Sequence, residues 1–198
     1  MPEEPAEDVK AEKIEILELL VFLFIRGDID LRYGDESSFS LQPNVPYGWT
    51  KKGNQKGIPS RKGGRLNIFG LMNLAGNLTT YQTKSNVNTA TIIDWIEDFA
   101  QSIKMLTVIV LDNAPWHRSK EFMAKIKEWE DLGLFIFHLP TYSPHLNPIE
   151  ILWKRMKYKG LEPKDYLSEE ILHQKINHIL KNYNSDKYKI HFDINKRC

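Results

Sequence analysis

The sequence LTVIVLDNAPWH, residues 106–117, predicts a buried strand that ends at a carboxylate. Residues 107–112 are almost wholly apolar until the last position, Asp112, as expected of a strand with both faces covered. Asp112 then falls at the carboxyl edge of the sheet, where the ligand sites of α/β proteins gather. Because the next residue is Asn113, Asp112 can equally be a turn former.

Hydrophobic periodicity and turn residues predict an ordered series of elements around this strand. Strands are expected at 29–35, around 47–49, and at 65–74, 79–83, 107–112 and 134–138, and helices at 10–25, 88–103, 119–131, from 148 and near 168–183. Asn88 or Thr89 caps the second helix and Ser119 the third. Strands that come first, followed by alternating helices and strands, predict an α/β fold with a mixed central sheet and helices on both faces.

Two further acids occur at comparable places. Asp35 lies in IDLRYGDESSF (29–39), at the expected end of the first strand, and Glu150 lies in YSPHLNPIEILWKRMK (142–157). In the second stretch Asn147 is expected to cap a helix with its side chain and Pro148 to be the first helical residue. Glu150 also suits the positive end of that helix dipole. Two strands and a helix that each present an acid indicate a divalent-metal site.

Four blocks of this sequence carry a family resemblance: YGDESSFSL at 33–41, VPYGW at 45–49, VLDNAPWHRSK at 110–120 and LPTYSPHLNPIEILWKRMK at 139–157. The chain resembles the DDE transposases of bacterial insertion sequences, specifically the insertion sequence 630 family related to mariner elements. The resemblance runs from about Ile29 to Lys159. One small departure is Thr141, where a second proline is common.

This resemblance implies a ribonuclease-H-like fold and a catalytic triad of Asp35, Asp112 and Glu150. The 37 residues between Asp112 and Glu150 are within the family's range. The triad would hold Mg²⁺ or Mn²⁺, two ions with Asp35 bridging them, for DNA cleavage and strand transfer during transposition. Two alternatives are a catalytically idle or truncated DNA-binding remnant and an RNA–DNA hybrid hydrolase. The NPIE block argues against the latter.

The distribution of charge points to a phosphate-rich partner. Residues 37–93 hold seven Lys or Arg and no Asp or Glu, whereas residues 1–36 hold 11 acids and four bases. DNA transposon ends and target DNA are the expected partners, although a solvated basic face is equally compatible with the pattern alone. The candidate DNA-binding residues are Lys51, Lys52, Lys56, Arg61, Lys62 and Arg65, and beside the acids Arg118, Lys120, Lys154 and Arg155.

Three residues are expected to contact the acids and orient them without binding the metal. They are Asn113, His117 and Asn147, each within a few residues of Asp112 or Glu150. We expect His117 either to order the loop after Asp112 or to touch phosphate.

Composition excludes several classes of protein. The longest apolar run, residues 19–25, is seven residues and too short for a membrane span. The acidic start is unlike a secretory signal, and the only cysteine, Cys198, excludes a disulfide framework and a cysteine-based zinc site. A cytoplasmic, nucleoid-associated protein with no membrane partner is expected.

The expected domain organisation is an acidic helix over 1–28, the catalytic domain over 29–160, and a helix with a basic tail over 161–198. Family members ordinarily carry helix-turn-helix domains before the catalytic domain, and no such recognition helix is evident here. A separately encoded helix-turn-helix portion, a truncated copy or a fragment would each account for this. The resemblance also implies a homodimer on paired DNA ends.

Overall fold

A computed structural model describes residues 7–42, 63–183 and 190 of the protein, and across these ranges five strands form one mixed sheet. They are β1 (Asp30–Ser40), β2 (Arg65–Met72), β3 (Leu78–Thr83), β4 (Thr107–Leu111) and β5 (Leu134–His138). The order across the sheet is β3-β2-β1-β4-β5. The pairs β1–β2 and β2–β3 are antiparallel, and β1–β4 and β4–β5 are parallel. The predicted antiparallel and parallel halves are therefore confirmed.

The described helices are α1 (Glu7–Arg26), α2 (Thr89–Ser102), α3 (Lys120–Asp131), α4 (Ile149–Arg155) and α5 (Glu169–Lys181). Side chains cap three of them: Asn88 accepts from the Thr91 amide, and Ser119 and Ser168 cap α3 and α5 in the same way. These caps satisfy amide groups that a helix start otherwise leaves unpaired. The expected starts of α2, α3 and α5 are confirmed. None of the helices within the described ranges is long and apolar enough to cross a membrane.

The sheet separates two apolar cores because side chains alternate along each strand. In β4, Val108 and Val110 face a core that α1, α4 and α5 cover, whereas Ile109 and Leu111 face a core that α2 and α3 cover. The first core runs from Leu17 to Ile190. Helices thus lie on both faces of the sheet, as the sequence predicts.

The first strand is longer than expected, and the position of Asp35 in it is corrected. The prediction ended this strand at Asp35, but β1 continues to Ser40, because Asp35 to Ser40 all pair with β2. The parallel pairing of β1 with β4 ends earlier, at Tyr33 opposite Val110. Asp35 therefore lies inside its own strand but at the carboxyl edge of the parallel half. The expected strand around 47–49 lies outside the described residues.

Candidate active site

The three acids line one cavity at this edge of the sheet. Asp35 of β1, Asp112 just after β4 and Glu150 in the first turn of α4 border a space of about 360 Å³. The loop 139–144, between β5 and α4, closes its other side. Elements that are far apart in sequence thus bring together the three residues that the sequence singled out.

Asp35 is more buried than Asp112. Burial is the largest cause that raises the pKa of Asp35, to about 8, and repulsion from Glu36, Asp112 and Glu150 adds to it. Crowded carboxylates shift in this way because a low-dielectric site penalises each further negative charge. The cavity therefore favours a cation.

Glu150 is placed by close contact between α4 and the sheet. Gly70 pairs with Asp35 on the neighbouring strand, and a Cβ at Gly70 would come within 2.8 Å of both Ile149 and the Trp153 ring. Ile149 and Trp153 are buried against the sheet at this point. Because Gly70 has no side chain, the first turn of α4, which carries Glu150, can pack directly against the sheet beside Asp35.

The expected capping role of Asn147 is wrong. Pro148 stands at the helix cap without a side-chain hydrogen bond, and Asn147 instead donates from Nδ2 to the Gly34 carbonyl at 3.1 Å. This long-range bond joins the start of α4 to β1 beside Asp35. Asn147 lines the cavity, and its Oδ1 is buried with no hydrogen-bond partner among the described residues.

Asp112 is held by one of its two carboxylate oxygens. Oδ1 accepts from the Ala114 amide at 3.0 Å and contacts His117 Nδ1 at 3.0 Å. The hydrogen bond from His117 is the largest cause that lowers the pKa of Asp112, so this carboxylate is ionised. The Asp112 side chain is 52% exposed, and within the described part of the chain its other oxygen, Oδ2, makes no hydrogen bond.

His117 lies behind Asp112 with no exposed surface. Its Nε2 contacts Glu36 Oε1 at 3.0 Å, on the side away from Asp112. Burial opposes the charge on the ring, but the hydrogen bonds to Asp112 and Glu36 outweigh burial and raise the pKa of His117 to about 9. Imidazolium can donate from both nitrogens, as these two acceptors require. The ring thus connects Asp112, directly after β4, to Glu36 on β1, and a role of His117 in ordering the loop stays a prediction.

Sequence reasoning misses Glu36, which in the sequence is only an acid beside Asp35. Adjacent strand residues point to opposite faces of the sheet, which sends Glu36 towards α2 and α3 while Asp35 faces the cavity. This alternation could have indicated that Glu36 faces away from the cavity. Its contact with His117 cannot be seen in the sequence, because the fold brings the two residues together.

Two other residues shape the rim of the cavity. Asn113 donates from Nδ2 to the Leu139 carbonyl, which ties the loop after β4 to the end of β5. Tyr142 is 63% exposed and has φ +56°, a left-handed conformation that is uncommon for a residue other than glycine. Strained backbone of this kind tends to occur at functional sites.

The expected basic residues fall into two groups. Arg65 begins β2 and lines a second, polar cavity with Lys157. The other four, Arg118, Lys120, Lys154 and Arg155, are exposed and lie close to Asp112 or Glu150 in sequence. Lys51, Lys52, Lys56, Arg61 and Lys62 lie outside the described residues. A DNA-binding role for either group stays a prediction.

The cavity fits a hard divalent cation. Its donors are carboxylate oxygens and the unpartnered Asn147 Oδ1, which suit Mg²⁺ or Mn²⁺. Within residues 7–42, 63–183 and 190, no three His, Cys, Asp or Glu side chains are yet grouped closely enough to hold an ion. Mutually repelling carboxylates are expected to stay apart until a cation draws them together.

Comparison with known proteins identifies the class. The family model described as DDE superfamily endonuclease matches residues 30–172, and the chain belongs to this family. No curated protein matches the chain.

Several solved structures share the fold. The Mos1 mariner paired end complex with Mn superposes with a TM-score of 0.64 at 16% identity, over 100% of this chain and 61% of that one. The Mos1 strand transfer complex gives 0.63 at 18% identity, over 100% and 60%. The catalytic domain of Mos1 mariner transposase gives 0.57 at 16% identity, over 100% and 92%. The chain thus spans about 60% of the longer Mos1 chains, and the expected ribonuclease-H-like fold is confirmed.

Proposed function

We propose that this chain is the catalytic domain of a transposase that cuts DNA at the end of a mobile element and joins that end to target DNA. The observation that carries this proposal is the single cavity shared by Asp35, Asp112 and Glu150. Membership of the DDE endonuclease family supports it. The four sequence blocks further favour the insertion sequence 630 group within that family.

The family resemblance gives each acid a role. Asp35 and Asp112 would hold the two ions, with Asp35 bridging them, and Glu150 would complete the ligands of the second ion; all three border one cavity. Bound Mg²⁺ or Mn²⁺, two ions in this proposal, would activate the attacking oxygen and stabilise the leaving oxygen of a phosphodiester. The chain's own contribution is to present these three carboxylates around one cavity from β1, the residue after β4 and α4.

We propose DNA as the partner in both steps, first as the end of the mobile element and then as the target. The exposed bases close in sequence to the acids, and the seven Lys or Arg of the acid-free stretch 37–93, are the positive charge that we propose contacts the phosphate backbone. Solved Mos1 structures are described as paired-end and strand transfer complexes. We therefore propose that this chain also acts as a homodimer on paired DNA ends.

Nicking of supercoiled plasmid tests the activity. Wild-type protein with Mg²⁺ or Mn²⁺ should convert supercoiled to open-circular DNA, and chelation should stop it. Asp112→Ala, which removes the exposed carboxylate without opening the core, should be inactive while it keeps its fold. If the folded wild type does not nick with either metal, the chain is instead an idle DNA-binding remnant. If Asp112→Ala nicks as well as the wild type, the site lies elsewhere.

A further inference from the structure

Glu36 is less exposed than a surface carboxylate and has two hydrogen-bonding partners. It lies on β1 next to Asp35 and is only 17% exposed. Its Oε1 accepts from Trp116 Nε1 at 3.0 Å and contacts His117 Nε2 at 3.0 Å. A partly buried and a fully buried donor thus converge on one oxygen, as donors do around carboxylates that hold a neighbouring group in place.

The ring between Glu36 and Asp112 is fixed on several sides. His117 is fully buried, and its ring lies 5.9 Å from that of Phe122 between centroids. Its carbonyl accepts from His138 Nε2 at 3.0 Å, which anchors the backbone of the same residue to β5. These contacts hold the imidazole in place, with its Nδ1 directed at Asp112 Oδ1.

This arrangement decides which oxygen of Asp112 is available. Oδ1 is occupied by the Ala114 amide and by His117, so Oδ2 is the oxygen left for the cavity. Without the anchor at Glu36, the ring and the carboxylate can rotate together, and each binding event then costs the entropy of fixing them again.

We propose that Glu36 is a positioning residue of the metal site, which acts through the buried His117 ring to hold Asp112 with Oδ2 facing the cavity. The inference rests on the proposed function, in which Asp112 is a metal ligand. Glu36 itself does not contact the ion, because it faces α2 and α3 on the other side of the sheet from Asp35. Its positioning effect would pass through His117, in addition to the direct repulsion between Glu36 and Asp35.

Binding of Mn²⁺ alone, without DNA, provides the test. We expect Glu36→Gln to keep the fold and to weaken Mn²⁺ binding about 10- to 100-fold, the usual effect of removing a residue that orients a metal ligand. The matched control is Glu12→Gln, the same change at an exposed site on α1, which should bind as the wild type does. If Glu36→Gln does not fold, Trp116→Phe removes one donor to the same oxygen and should weaken binding in the same direction.

A double-mutant cycle separates positioning from direct ligation. His117→Asn keeps a short donor near Asp112 but cannot reach Glu36, so adding Glu36→Gln to it should change Mn²⁺ affinity less than twofold. If Glu36→Gln weakens binding equally in both backgrounds, or leaves the wild-type affinity unchanged, the positioning role is refuted. A wild type that binds no Mn²⁺ would instead refute the proposed function, and this inference with it.

Discussion

Replacing Asp35 by asparagine should stabilise the metal-free protein, and increasingly so as the pH rises. Burial and neighbouring carboxylates raise the pKa of Asp35 to about 8 in the folded protein, against 3.8 for the ordinary side chain. A carboxyl with a raised folded pKa does not destabilise the fold below the unfolded pKa. Its destabilising effect grows as the pH rises from 3.8 and levels off above about 8. Asparagine has the same shape and no such charge.

The size of the effect follows from that shift. A pKa near 8 instead of 3.8 corresponds to an upper limit of about 5 kcal/mol at pH 8. Water and counterions at the mouth of the cavity screen part of this, so we expect Asp35→Asn to gain about 1–3 kcal/mol at pH 8 and much less at pH 5.

Urea unfolding in EDTA at pH 5, 6.5 and 8 measures this difference directly. Asp94→Asn, which removes an exposed carboxylate from α2, is the matched control and should show no comparable growth with pH. Saturating Mn²⁺ should reverse the order, because the wild type then gains binding energy that the variant lacks. If Asp35→Asn gains the same free energy of unfolding at all three pH values, the proposed repulsion and burial of charge at Asp35 are refuted.

Three further predictions concern the surroundings of the triad. Gly70→Ala should destabilise the fold by about 1–3 kcal/mol in urea unfolding, because its Cβ would overlap the Trp153 ring. It should also reduce nicking, because the overlap displaces Glu150. The control Gly160→Ala should destabilise the fold much less, because its Cβ would meet only one flexible side chain, at 3.1 Å. Tyr142→Gly removes a left-handed tyrosine, so it should leave stability within about 1 kcal/mol of the wild type while raising the KM for plasmid in the nicking assay. In the acid-free stretch, Lys51, Lys52 and Lys56 should each be replaced by Gln. This change should weaken binding to DNA duplexes of any sequence and reduce the slope of log affinity against log salt concentration by about 0.9 for each phosphate that is no longer neutralised. Unchanged affinity and slope would indicate a solvated face.

Features that depend on neighbours in sequence were predictable. The caps at Asn88 and Ser119 were expected because a capping side chain bonds to an amide only three residues away. The run 107–111 identified β4 because a strand covered on both faces has no polar alternation to obscure it. The α/β fold and the acids at one edge of the parallel half followed from these local patterns and from the family resemblance.

Features that depend on distant contacts were not predictable. The length of β1 is set by its pairing with β2, which follows a long connection in sequence. Asn147 has a good local capping position but bonds to Gly34, 113 residues away, because the fold brings that carbonyl within reach. Glu36 resembles a spare acid in the sequence, since its partners Trp116 and His117 come from the loop after β4.

The central claim is that Asp35, Asp112 and Glu150 together hold the catalytic metal. Anomalous diffraction from crystals of the wild-type protein grown or soaked with Mn²⁺ tests it most directly. We predict a Mn²⁺ peak in the cavity that these residues line, with carboxylate oxygens of all three at about 2.0–2.6 Å from bound ions. A Mn²⁺ peak bound elsewhere, or an empty cavity at saturating Mn²⁺ with the three carboxylates still apart, would contradict it.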